Sequence, residues 1–116
     1  MSRRLIAFLA CSILLCGCSR RKSSPMAVAG AQHIQYYGCG SCHTIPGIPG
    51  ARAHVGPPLT GLGDRSYIAG VLANNPANLS FWIQHPHTVH PGTAMPEMGI
   101  PAKDGDEIAA YLETLR

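Results

Sequence analysis

The sequence predicts an all-α domain in which three to five helices are separated by long loops. An apolar stripe at the spacing of an amphipathic helix marks the clearest helix, at the C-terminus. Its members are Ile108, Tyr111, Leu112 and Leu115. Residues 44–63 contain closely spaced prolines and glycines, which favour a long loop over a helix or strand. No alternation of apolar and polar residues is long enough to predict a strand.

Local signals place the helices in chain order. Residues 27–37 predict the first helix, and a short second helix is expected over residues 65–72. Asn75, which is followed by a proline, is a typical N-cap for a third helix. Asp104 and Glu107 resemble a capping-box pair at the start of the last helix.

The composition indicates a small domain that needs help to complete its core. The chain has 116 residues with 13 Gly and 10 Pro, but only 2 Phe and 1 Trp. Small domains with so thin an apolar supply often depend on a metal or a cofactor. A large, flat and mostly apolar cofactor would fill the middle of such a domain.

The charge distribution argues against a nucleic-acid partner. The formal net charge is +3, but much of the positive charge lies near the N-terminus. From Met26 onward, six acidic residues outnumber four basic ones. The four basic residues are Arg52, Arg65, Lys103 and Arg116. They form no basic stripe of the kind that binds nucleic acid.

The N-terminal residues predict export. Residues 1–17 have a positive start and an apolar run that is typical of a secretory signal peptide and short for a membrane span. The residues around Cys18 resemble a bacterial lipobox, although Cys16 departs from its usual pattern. We therefore expect a lipid on Cys18 and a polar tether over residues 18–25, with residues 26–116 held at the periplasmic or extracytoplasmic face of a membrane. An ordinary cleaved signal and an uncleaved anchor stay open as alternatives.

Cys39, Cys42 and His43 form the C-x-x-C-H pattern that predicts covalent attachment of one haem c. The two thiols can add across the vinyl groups of the haem, and the imidazole that follows can reach the iron. A redox C-x-x-C motif would need a nearby βαβ pattern, and a structural zinc site would need a second ligand pair. No βαβ pattern is visible, and no Cys follows Cys42, so a second zinc ligand pair would have to come from histidines alone. The haem interpretation is therefore favoured.

A second axial ligand is predicted in the segment Pro-Gly-Thr-Ala-Met-Pro, where Met95 lies between two prolines. A thioether is a soft ligand that favours ferrous iron and raises the reduction potential. The prolines restrict the loop and would hold the sulfur in both oxidation states. Met98 is the rival ligand, and either methionine could instead fill a core.

Together these residues resemble the mono-haem class I c-type cytochromes over about residues 28–116. The motifs that carry the resemblance are C-x-x-C-H at 39–43, G-P-P-L at 56–59, G-D-R at 63–65, W-I-x-x-P at 82–86, P-G-T-A-M-P at 91–96 and A-Y-L at 110–112. The resemblance implies the small cytochrome c fold, with helices and long loops wrapped around one covalently bound haem.

The resemblance also implies roles for single residues. The carbonyl of Pro57 would accept a hydrogen bond from His43, and Leu59 would pack on the face of the haem. Arg65 would meet a haem propionate, unless it is a solvated loop charge. Trp82 would lie near the distal face, with plain core packing as its alternative role.

Three histidines stand where well-known mitochondrial members of the family carry lysines around the haem edge. They are His85, His87 and His90. A metal site is one hypothesis, a solvated role is a second, and a docking surface whose charge depends on pH is a third.

The function that follows is electron transfer by a membrane-tethered carrier, with redox proteins as partners and no small-molecule substrate. The resemblance suggests a respiratory chain in which the carrier feeds, or is attached to, a terminal oxidase. A haem-based ligand sensor or a peroxidase-like enzyme is one alternative. A fixed haem subunit of an oxidase or of a nitric oxide reductase is the other.

Overall fold

The computed structural model describes residues 23–116, which contain four α-helices and one short hairpin. The elements are α1 (Pro25–Tyr36), β1 (Tyr67–Ile68), β2 (Leu72–Ala73), α2 (Pro76–Gln84), α3 (Pro86–Val89) and α4 (Ala102–Leu112). The predicted signal segment, Cys18 and the start of the tether lie outside the described residues. Within residues 23–116, no helix has the length and the apolar character that a membrane span requires. The all-α prediction is confirmed.

Helix α1 begins two residues before the predicted start at residue 27. The Oγ of Ser24 accepts a hydrogen bond from the amide of Ala27 at 3.1 Å, and Pro25 occupies the first turn. A proline is suited to this position because its missing N–H would have no partner within the helix. The last two residues of the predicted tether, Ser24 and Pro25, therefore belong to the folded domain.

The prediction of a helix over residues 65–72 is wrong. β1 and β2 pair antiparallel there, with Ile68 opposite Leu72. Between the strands, Ala69 and Gly70 have φ values of 52° and 73°. Two successive residues in the left-handed region reverse the chain tightly, which suits a hairpin and ends any helix.

Helix α2 follows the predicted cap, because Oδ1 of Asn75 accepts from the amide of Asn78 at 2.9 Å. The chain then turns directly into α3, a single helical turn that the sequence did not predict. Pro86 opens α3 and is buried. α3 therefore extends the structured part of the chain toward the predicted methionine loop.

The predicted capping box of α4 is wrong. The helix begins at Ala102, and its N-cap position has no side-chain hydrogen bond. Asp104 instead accepts a hydrogen bond from the Tyr37 hydroxyl at 2.7 Å. Glu107 lies 2.9 Å from the ring of His33. Both carboxylates are thus used between helices and not at a helix end.

Helices α1 and α4 cross at Gly30. A Cβ atom at this position would overlap the carbonyl oxygen of Glu107 and lie 3.1 Å from the Cα of Ile108. Beside the crossing, Ile34 and Ile108 are each only 1% exposed. Glycine therefore permits a backbone approach that no other residue would allow.

The core is aliphatic and draws on loops as well as helices. Helices supply Ile34, Leu79, Ile83, Ile108, Ala109 and Leu112. Turns and loops supply Ile45, Ile48, Ala51, Leu62 and Ile100. Full burial of an isoleucine or leucine side chain stabilises the fold by roughly 1.5–3 kcal/mol. The loop over residues 44–63 is therefore packed against the helices and not merely solvated.

A polar cluster links α1 to α4 beside this core. We call it the α1–α4 polar cluster, and its members are His33, Tyr37, Lys103, Asp104 and Glu107. The hydrogen bond from Lys103 lowers the pKa of Glu107 below its ordinary value. The hydrogen bond to Asp104, helped by burial, raises the pKa of Tyr37 to about 12.

Replacement of Tyr37 by Phe should remove a pH-dependent part of the stability. A raised pKa in the folded state means that the Tyr37–Asp104 bond contributes fully below about pH 10 and is lost as the pH approaches about 12. The difference in unfolding free energy between wild type and Tyr37→Phe should therefore shrink across this window. Denaturant unfolding followed by far-UV circular dichroism at several pH values measures it.

Tyr36→Phe is the matched control, because Tyr36 is 81% exposed and its loss should change the unfolding free energy much less than the loss of the Tyr37 hydroxyl. Lys103 is present in all three proteins, so its own titration cancels in the comparison. A difference between wild type and Tyr37→Phe that stays constant from neutral to alkaline pH would contradict the assignment.

Candidate functional site

The C-x-x-C-H segment is a tight turn that follows α1. Gly38 has a φ of 70° and ends the helical path, so that Cys39–Ser41 form one turn of 3-10 helix. The amides of Cys42 and His43 both donate to the carbonyl of Cys39, at 3.2 and 3.0 Å. Both cysteines are free thiols and half-buried.

The environment of the thiols disfavours the two rival interpretations. Burial raises the pKa of Cys39, whereas a redox-active dithiol needs a lowered pKa to form its thiolate. Among residues 23–116, the side chains that converge closely enough for a shared metal ion are those of His33, Asp104 and Glu107, and neither cysteine is among them. A zinc site at the C-x-x-C-H turn is therefore not supported.

The imidazole of His43 is oriented by the loop that follows. Its Nδ1 lies 2.7 Å from the carbonyl oxygen of Pro57, the contact that the resemblance implies. Because a carbonyl oxygen only accepts, the proton lies on Nδ1 and the lone pair on Nε2. Such a bond to the far ring nitrogen typically fixes a metal-binding histidine.

Gly56 is the first residue of the G-P-P-L motif, and its role in the site was not predicted from the sequence. Its amide donates to the carbonyl of Cys42 at 2.7 Å. A Cβ on Gly56 would overlap Cε1 of His43 and lie 2.8 Å from its Nδ1. The bare Cα thus leaves the space that the imidazole ring occupies.

Arg65 and Leu59 support the same loop. The guanidinium of Arg65 donates to the carbonyls of Pro58 and Thr60, at 2.6 and 3.0 Å. The amide of Leu59 donates to the carbonyl of Thr44 at 2.9 Å, and its side chain packs on the core. These contacts hold the loop around Pro57, and the predicted roles of Arg65 and Leu59 toward the haem stay predictions.

Trp82 lies on α2, is half-buried and packs against the aliphatic core. This placement agrees with plain core packing, the alternative role predicted for Trp82. Its predicted position near the distal face of a haem stays a prediction.

Met95 lies in a loop whose backbone is held from both sides. Its amide donates to Oγ1 of Thr93 at 3.2 Å. Its carbonyl oxygen lies 3.0 Å from Nε2 of His87. Met95 and the rival Met98 are both partly exposed, so exposure does not distinguish them.

The three histidines of the 85–90 stretch have separate surroundings. His85 lies against Phe81, with ring centroids 5.0 Å apart. His87 contacts the carbonyl of Met95, and a Cβ on Gly92 would lie 3.6 Å from Cε1 of His90. They are not grouped closely enough to share a metal ion, and the docking hypothesis stays a prediction.

The residues of the turn and its loop fit a covalently bound haem. They offer two free thiols, an imidazole whose Nε2 carries the lone pair, and a glycine that leaves the ring its space. This is the donor chemistry that attachment of a c-type haem requires.

Comparison with known proteins agrees with this chemistry. The family model for cytochrome c matches residues 27–116, and the chain belongs to this family. It is thus a haem-binding electron-transfer domain with the small all-α cytochrome c fold.

The curated relatives are larger proteins. Cytochrome c oxidase subunit 2 of Alkalihalophilus pseudofirmus is 35% identical over 92 residues, which are 78% of this chain and 26% of that subunit. Cytochrome c oxidase subunit 2 of Bacillus subtilis is 30% identical over 90 residues, which are 76% of this chain and 25% of that subunit. The chain therefore spans about a quarter of the length of these relatives. No solved structure matches it.

Replacement of Gly56 by Ala should displace the His43 ring from Pro57. The backbone of Gly56 is not in the left-handed region, so the expected effect is steric overlap and not backbone strain. Overpacking of this kind costs about 1–3 kcal/mol. We expect less protein with covalently bound haem, measured as haem absorbance per polypeptide after denaturation.

Val55→Ala is the control, because Val55 precedes Gly56 and is 79% exposed. It should retain the wild-type haem content. Wild-type haem content and an unchanged ferrous spectrum in Gly56→Ala would show that the close contact with His43 is not needed.

Proposed function

We propose that this chain is a lipid-tethered mono-haem electron carrier in which His43 and Met95 are the axial ligands. The observation that carries the proposal is the hydrogen bond from Nδ1 of His43 to Pro57, which leaves Nε2 able to bind iron. Haem, when bound, supplies an iron that alternates between the ferric and ferrous states. The protein contributes attachment, orientation and exclusion of competing ligands.

Cys39 and Cys42 are the proposed attachment residues. Each thiol would add across one vinyl group, with a carbon–sulfur bond formed and the thiol hydrogen passed to the neighbouring carbon. No oxidant is consumed. Burial raises the pKa of Cys39, and a thiol with a raised pKa forms less thiolate.

Met95 is the proposed distal ligand, and its restrained backbone supports this choice. A ligand that stays bound in both oxidation states favours outer-sphere electron transfer. It also argues against the sensor and peroxidase alternatives, which need an open distal position.

The similarity to subunit 2 of cytochrome c oxidases supports an oxidase as the redox partner. This similarity favours an oxidase over a nitric oxide reductase. It also supports the alternative that the chain is a haem subunit held within an oxidase complex. In either arrangement the chain carries electrons and transforms no small-molecule substrate.

Met95→Leu should abolish the methionine–iron charge-transfer band of the ferric protein. It should also lower the reduction potential and permit carbon monoxide to bind the ferrous protein, because a soft thioether ligand is lost. Absorption spectroscopy and a redox titration of the purified holoprotein measure all three properties.

Met98→Leu is the matched control and should behave as wild type. Loss of the band in Met98→Leu instead would transfer the ligand role to Met98. A wild-type protein without the band that binds carbon monoxide readily would favour the sensor or peroxidase alternative.

Cys18 is the proposed lipidation site, and residues 18–23 would tether the domain to the extracytoplasmic face of a membrane. A tether keeps the carrier near a membrane-bound partner and raises its effective concentration there. Several acyl chains on one residue would give stable anchoring, because each buried methylene contributes about 0.8 kcal/mol.

Cys18→Ser should move the haem-loaded protein from the membrane fraction to the soluble exported fraction. Cys16→Ser is the matched control and should stay with the membrane, because serine is usual at that position of a lipobox. Fractionation and mass spectrometry of the N-terminal peptide measure the outcome. A Cys18→Ser protein that stays in the membrane would indicate an uncleaved anchor.

A further inference from the structure

The loop that carries Met95 is held by a residue outside the motifs of the family resemblance. We propose that His87 is a positioning residue that keeps Met95 in place, with Glu97 as its anchor. The inference rests on the proposed role of Met95 as distal ligand. It concerns how that ligand is retained and assigns a role to one of the three histidines.

Both backbone polar groups of Met95 have side-chain partners. The N–H donates to Oγ1 of Thr93 at 3.2 Å, and the carbonyl oxygen accepts from Nε2–H of His87 at 3.0 Å. The first bond fixes the peptide before Met95, and the second fixes the peptide after it. The Cα–Cβ direction of Met95 is therefore defined although no helix or strand contains it.

His87 is itself held by the same loop. Its amide donates to Oε1 of Glu97 at 3.1 Å, two residues beyond Met95. The side chain of His87 therefore contacts the loop at Met95, and its backbone contacts the loop at Glu97. These two hydrogen bonds connect α3 to the loop at two points.

Helix α3 is itself held in position by α2. Pro86 is buried, and the amide of His85 donates to the carbonyl of Phe81 in α2 at 2.8 Å. α3 is therefore continuous with a helix that packs on α4. Without the side-chain bond from His87, the loop would keep the Thr93 contact and the Glu97 bond to α3, and it would lose the bond that fixes the carbonyl of Met95.

We expect the rate at which an external ligand replaces Met95 to be set by how often the loop opens. A hydrogen bond of ordinary net strength changes an opening equilibrium by about fivefold to tenfold. Loss of the His87 side-chain donor should therefore raise the rate of carbon monoxide binding by about that factor. Global stability should change little, because His87 is exposed.

The test compares ferrous holoprotein of wild type with three variants. His87→Phe removes the donor and keeps a ring, so carbon monoxide should bind about fivefold to tenfold faster. His87→Gln retains a side-chain N–H and should restore much of the wild-type rate. His85→Phe, a neighbouring exposed histidine with no side-chain hydrogen bond to the loop, should match wild type.

A second measurement separates positioning from general stability. In denaturant, the methionine–iron charge-transfer band of His87→Phe should disappear earlier than in wild type, while the far-UV circular dichroism midpoint stays the same. Equal shifts of both midpoints would overturn the proposal in favour of a merely structural role. Wild-type carbon monoxide kinetics in His87→Phe would also overturn it.

These outcomes are distinguishable from failure of the proposed function. If wild type shows the band, Met95→Leu loses it and His87→Phe behaves as wild type, only the role of His87 falls. If wild type lacks the band and binds carbon monoxide freely, the ligand role of Met95 and the positioning role of His87 fall together.

Discussion

The hydrogen bond between the His43 ring and the Pro57 carbonyl is the constraint around which the site is built. It is 2.7 Å long and joins the turn after α1 to the proline-rich loop. Because the carbonyl only accepts, one bond sets both the tautomer and the direction of the imidazole. Neighbouring contacts protect this geometry. Gly56 leaves room for the ring and bonds to the carbonyl of Cys42, while Arg65 holds the next carbonyls of the loop.

Helix α4 brings the two partners of that bond together. On one side it packs on α1, which carries the C-x-x-C-H turn, and Gly30 permits the close approach. On another side the hydroxyl of Tyr111 donates to the carbonyl of Pro46 at 2.6 Å. Pro46 lies near the start of the loop over residues 44–63, which contains Pro57. A displacement of α4 would therefore move the turn and the loop at once. The α1–α4 polar cluster stabilises this arrangement without contacting the site.

Sequence reasoning succeeded where neighbouring residues decide the structure. Caps and apolar spacing located three helices, and the C-x-x-C-H motif located the candidate site, because all its residues are consecutive. The hairpin of β1 and β2 was missed because Ala69 adopts a left-handed conformation for which alanine gives no signal. Asp104 and Glu107 match a capping pattern, yet Tyr37 and His33, the residues they contact, lie 67 and 74 residues away at and within the C-terminal end of α1. The bond between His87 and Met95 depends on α3, which is too short to show helical periodicity.

The two candidate ligands are positioned by the same kind of interaction. The ring N–H of His43 donates to the carbonyl of Pro57, and the ring N–H of His87 donates to the carbonyl of Met95. In each case a backbone carbonyl, and not a carboxylate, accepts the bond. The energy of a charged acceptor would change strongly with the charge of a bound haem iron, since unit charges interact over several ångströms in a protein interior. Neutral acceptors respond less, so these two bonds favour one geometry of the proposed ligands in both oxidation states.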